Sequence, residues 1–191
     1  MLRYSPRQIT LQPGTAQTVR LMLRKPAVLA EGEYRSHLHF EKLPAPAGSS
    51  SIETQGKPGD IGVMLNALVG ASMPVIVRHG AAHATVGLSK LALHQATDGR
   101  APMLALQFDR SGNSSVYGDL QVTFTPQGGA PQVLASAGGI AVYSPNTVRR
   151  AALPLQVSPG MELARGTLDV VYRRRADAGG GVLAQATLPI P

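Results

Sequence analysis

The residues between Tyr4 and Pro44 constrain this chain most, because they alternate with a period of two and are cut at short intervals by turn residues. Gln8 to Leu11 reads as a short strand closed by Pro13-Gly14, a pair in which proline presets its own dihedral and glycine accepts positive φ. From Thr15 to Arg24, Ala16, Thr18, Arg20, Met22 and Arg24 share one face while Gln17, Val19, Leu21 and Leu23 share the other, the pattern of a half-buried strand that Pro26 stops. After Glu31-Gly32 a third strand opposes Tyr34, Ser36, Leu38 and Phe40 to Arg35, His37, His39 and Glu41, ending at Pro44. Three antiparallel strands in about forty residues imply a β-sandwich with much of one sheet missing.

Further along, the Pro, Gly and Ser-rich stretch from Pro44 to Asp60 reads as a loop. It leads into Ile61 to Val77, where one parity is an unbroken apolar row of Ile61, Val63, Leu65, Ala67, Val69, Ala71, Met73, Val75 and Val77. That row exceeds what one small sandwich needs. Periodicity alone leaves two readings open, a strand offered to a partner and a strand buried in its own domain or crossing between domains.

Beyond Ala82 the strand candidates are Thr85–His94, Met103–Arg110, Leu120–Thr125, Gln132–Ala135, Ile140–Tyr143, Thr147–Val157, Gly166–Tyr172 and Gly181–Pro189. Turns at Asp98-Gly99, Ser111 to Asn113, Gln127 to Gly129, Gly138-Gly139 and Pro159-Gly160 divide them, the spacing of a seven- or eight-stranded sandwich. Leu106 with Phe108, and Val122 with Phe124, are the expected core alternation. No helix is required.

The run I-x-L-x-P-G and Q-x-V-R-L (Ile9 to Leu21), then G-E-Y-R-x-H-L-x-F-x-x-L-P (Gly32 to Pro44), then the long apolar strand ending in I-V-R (Ile76 to Arg78) resembles the periplasmic pilus chaperones of the PapD type. The resemblance covers roughly residues 4 to 80 and continues through 191 mainly by turn placement. It implies an all-β chain of two immunoglobulin-like β-sandwich domains, the first incomplete: 1–80 holding its last strands and 81–191 a second domain. It implies a chaperone that stabilises pilin-like or spore-coat-like subunits by completing them with its own strand, Val63, Leu65, Ala67 and Val69 being the donor positions. An outer-membrane usher is the further partner implied, and the periplasm the compartment. The family anchors a client carboxylate with an arginine in its first strand and a lysine late in the donor strand. The first position is not in this sequence, and Pro74 stands at the second, with neither a charge nor a ladder N–H. A cluster that holds the two domains in orientation carries over to Arg20, Glu33 and Asp177. A structural or adhesive tandem immunoglobulin-like module without chaperone activity is the alternative.

Other chemistries find little footing. The chain is 191 residues long with net charge +7, yet its basic residues are dispersed apart from Arg173-Arg174-Arg175, and three Phe, five Tyr and no Trp make no stacking platform, so no nucleic-acid partner is expected. The arginine cluster is read as a solvated hairpin end. His37-x-His39 alone has ligand-like spacing, and without an identifiable third ligand no metal is expected. No cofactor motif, nucleophile elbow or metalloprotease helix occurs, so an enzyme is not expected. Asn113-Ser114-Ser115 spells a glycosylation sequon but is read as a turn asparagine. No run of about 18 apolar residues suggests membrane insertion. Met1 leads directly into strand material with no signal peptide, and because a sandwich lacking about half its strands would expose core and unpaired edges, Met1 is expected to be an internal methionine of a longer precursor.

Overall fold

The computed structural model describes residues 2–43, 70–95 and 101–191. The chain is all-β. Its strands are β1 (Leu2–Ser5), β2 (Arg20–Leu23), β3 (Gly32–Glu41), β4 (Gly70–His79), β5 (Ala84–His94), β6 (Met103–Gly112), β7 (Val116–Pro126), β8 (Gln132–Val142), β9 (Val148–Pro154), β10 (Gly166–Arg173) and β11 (Val182–Ile190). A 3₁₀ turn, Ala176–Ala178, precedes β11. The chain divides into two compact units, one of Met1–Glu33 with Arg78–Pro191 and one of Tyr34–Val77.

In the larger unit a four-stranded sheet, ordered β11-β10-β7-β8, and a three-stranded sheet, ordered β5-β6-β9, share one core. Alternation builds it. Leu104, Leu106 and Phe108 from β6 meet Leu120, Val122 and Phe124 from β7 and Leu168, Val170 and Tyr172 from β10, all buried. Phe108 packs edge-on to Tyr172 with ring centroids 5.1 Å apart, a favourable aromatic geometry. The Tyr172 hydroxyl donates to the Ile140 carbonyl oxygen at 2.7 Å, so the one polar atom of this large side chain is satisfied inside the core.

Burial pushes the Tyr172 hydroxyl up to about 12, with smaller influences from Arg149, which lowers it, and Asp119, which raises it. Its stabilising contribution is therefore complete below the ordinary tyrosine range, near 10, and falls as pH rises toward 12, because the unfolded chain loses the proton first. Thermal midpoints measured from about pH 9 to 12 should drop more steeply for the native chain than for Tyr172→Phe. Parallel curves would show that the hydroxyl is not buried in solution.

Two sequence expectations are corrected here. Gly138-Gly139 does not divide two strands, since β8 runs unbroken from Gln132 to Val142 with a register shift between Gly118 and Leu120 of β7. Gly139 takes φ +68 and donates its N–H to Asp119 Oδ1 at 2.8 Å, so the extra residue is absorbed as a bulge and the strand bends without leaving its partner. Gln8 to Leu11 forms no strand either. Leu2–Ser5 instead pairs antiparallel with β2, Leu2 opposite Leu23 and Tyr4 opposite Leu21, while the Pro13-Gly14 turn forms as read, with Gly14 at φ +75 and Thr15 N–H reaching the Gln12 carbonyl at 3.1 Å.

The pairs β1-β2 and β3-β4 are each two-stranded among the described residues. In β1-β2, Tyr4, Leu21 and Leu23 share a face and all three are exposed. The contrast with the closed core of β5 to β11 is the main asymmetry of the molecule.

Candidate functional site

The most highly organised polar cluster lies in the larger unit, on the loop Asn113 to Ser115 between β6 and β7. Gly112, the residue before it, permits the loop's approach to β5: its φ is +99, and a Cβ there would lie 2.4 Å from the His83 carbonyl oxygen. Asn113 then substitutes for a strand neighbour. Its Oδ1 accepts from His83 N–H at 2.9 Å, its Nδ2 donates to the Ala81 carbonyl at 3.0 Å, and its own N–H donates to the His83 carbonyl at 3.0 Å. The side chain that spells the sequon is consumed in structure, as a turn asparagine should be.

Onto this loop comes Glu33. Its N–H donates to the Asn113 carbonyl at 2.9 Å, and its side chain has no exposed surface. Desolvation opposes ionisation of that carboxyl, but it is outweighed by hydrogen bonds from the Ser115 hydroxyl and the Ser115 N–H and by the charge and hydrogen bond of Arg78. Glu33 is accordingly held below the ordinary glutamate value. Arg78 Nε donates to Glu33 Oε2 at 3.1 Å, and the Ser115 N–H reaches the same oxygen at 3.2 Å. The Ser115 hydroxyl, bonded to Glu33 Oε1, accepts in turn from Ser144 N–H at 2.9 Å. One carboxylate thus gathers the start of β3, the end of β4 and two loops of the sandwich.

On the other side of the loop stands Arg110, which follows Leu104, Leu106 and Phe108 on the buried parity of β6. Its Nε donates to the Asn146 carbonyl at 2.8 Å and its Nη1 to the carbonyls of Gly112 at 2.9 Å and Ser114 at 2.7 Å. An arginine at the end of an alternating apolar run is the sequence signal by which this residue could have been found.

The expected trio of Arg20, Glu33 and Asp177 is not assembled. Glu33 is paired with Arg78, the last residue of the I-V-R run. Asp177 lies on the exposed 3₁₀ turn and pairs with Arg175 at 3.3 Å. Arg20 is exposed on β2 opposite Ser5 and forms no ion pair among the described residues. The physical reason is proximity: Glu33 opens β3 and Arg78 closes its partner β4, so strand pairing delivers that cation to the carboxylate.

The donor positions Val63, Leu65, Ala67 and Val69 lie outside the described residues. β4 begins at Gly70, and its residues Gly70 to Pro74 are exposed, Met73 among them. His37 and His39 are exposed on β3, the former 3.5 Å from Arg35 Nη2 and the latter 3.0 Å from Glu41 Oε1. Compared with known protein families, with curated proteins and with solved structures, the chain matches none of them.

Proposed function

We propose that this chain is an assembly chaperone of the periplasmic pilus type, which lends the strand from Ile61 to Val77 to a pilin-like or spore-coat-like subunit and delivers it to an outer-membrane usher. The observation that carries the reading is the state of β4. It has β3 as its one strand partner among the described residues, and its first half is exposed. An exposed strand edge offers unpaired N–H and C=O groups, which only another extended chain satisfies in full. Pro74 agrees with an edge position, since a central strand loses a ladder bond at proline. The exposed apolar residues of β1 and β2 and the motif resemblance support the same reading. On this reading the β5 to β11 sandwich of the larger unit is an immunoglobulin-like platform, and the chain performs no catalysis and holds no cofactor.

Hydrogen exchange tests it. The full chain is mixed with a pilin-type subunit lacking its own last strand, and amide exchange is followed by peptide. Exchange over Ile61 to Val77 should slow about tenfold or more on binding, with β6 and β10 unchanged, because new ladder bonds must open before those amides exchange. Unaltered exchange across that strand in the presence of subunit would overturn strand donation and favour a structural or adhesive module.

A further inference from the structure

We propose that Arg110 is the receptor for a small oxyanion at the loop end of the three-stranded sheet, with the chemistry of a carboxylate or an inorganic phosphate. Arg110 is 5 % exposed, and every acceptor it meets is a neutral carbonyl: Asn146, Gly112 and Ser114. No carboxylate lies within ion-pair distance of it among the described residues. Carbonyl dipoles orient the guanidinium and satisfy three of its five N–H groups, but they supply no counter-charge to a largely buried cation, and its last nitrogen keeps access to solvent. Nη2 is the nitrogen left over, with no hydrogen-bond partner among the described residues.

The surroundings select the sign of the missing partner. Glu33, the carboxylate bound to the same loop, is engaged by Ser115 and already neutralised by Arg78. Asp109, the next residue along β6, is on the opposite parity, and its oxygens are taken by Ser89 Oγ and by Gln107 Nε2 at 2.6 Å. Across the β6-β9 ladder Arg149 stands opposite Phe108, on the face of Arg110, with its Nη1 donating to the Ala141 carbonyl, while Arg150 stands opposite Gln107 on the other face. The local field therefore favours an anion. An arginine whose Nε and Nη1 are already fixed loses little further freedom on binding one, and its two remaining N–H groups suit an oxygen acceptor. This inference is independent of the chaperone reading.

The test is an NMR titration of the arginine side-chain N–H signals of the full ¹⁵N-labelled chain, at constant ionic strength, with sodium phosphate in one arm and sodium acetate in the other. The expected result is a saturable displacement of the Arg110 signals, half complete at millimolar anion, in at least one arm. Saturation by acetate identifies a carboxylate site, and saturation by phosphate alone an inorganic oxyanion site. Arg110→Lys, which keeps the charge but not the fork, should abolish the saturable rise in thermal midpoint that the same anion gives the native chain. Should that variant fail to fold, the native titration decides alone. Displacement linear in concentration to about 100 mM in both arms, or equal displacement of Arg149 and Arg150, would overturn the site.

Discussion

Glu33→Ala should lower the unfolding free energy of the larger unit by about 2 to 3 kcal/mol, while Glu41→Ala changes it by less than about 0.5 kcal/mol. Both residues are glutamates of β3, and both have a basic partner. They differ in what they hold. Glu41 is exposed and faces a histidine in solvent, where screening removes most of the interaction. The Glu33 side chain has no exposed surface and satisfies two donors of Ser115 as well as Arg78, so its removal strands buried N–H and O–H groups. The figure stays below that for a wholly buried ion pair because Arg78 is half exposed and regains water when its partner is lost. Urea midpoints of the two variants read the difference directly. The pH dependence carries a second mark of the same group. Its folded pKa is depressed, so its contribution is complete above the unfolded glutamate value and is lost as pH falls through the folded value. Glu33→Gln should flatten that acid limb of the stability profile. Equal midpoints for the two alanine variants would reduce Glu33 to a surface charge.

Much of this architecture is legible in the sequence where one face of a strand is buried and the other is wet. In β6 and β7 the alternation of Leu104, Leu106 and Phe108, and of Leu120, Val122 and Phe124, identifies both the strands and the core they form. Legibility fails where a local sign has two physical meanings. Gly138-Gly139 spells a hairpin turn, yet one positive φ and a bond to Asp119 serve equally well as a bulge. Gln8 to Leu11 alternates like a strand, but alternation does not supply a neighbour, and the ladder to β2 is made by Leu2–Ser5 instead.

For the polar cluster the sequence named Glu33 and missed its partners. Charge type is written in the chain, but which cation faces a carboxylate depends on pairing between segments 45 residues apart. Ser115 carries no sign of its role, because a serine in a turn is ordinary. Arg110 does carry one, its parity, and a charged residue on the buried parity of a strand is a reason to look for what compensates it.

The second large effect concerns the apolar row of Ile61 to Val77. If that strand completes a subunit, alternate side chains enter the subunit's groove, and an unpaired charge at Leu65 or Val69 must be buried there at a cost sufficient to abolish pairing. Asn66 belongs to the opposite parity, so a charge at that position remains in water. None of the substituted positions belongs to β5 to β11, which lets folding of the larger unit be verified by its own melting transition.

The decisive measurement is the yield of soluble complex, by size exclusion, when a pilin-type subunit lacking its last strand is refolded with the native chain, Leu65→Asp, Val69→Asp or Asn66→Asp. Strand donation requires complex with the native chain and with Asn66→Asp, and its loss, at least tenfold, with Leu65→Asp and Val69→Asp. Equal yields from all four chains, or complex from none, would contradict it.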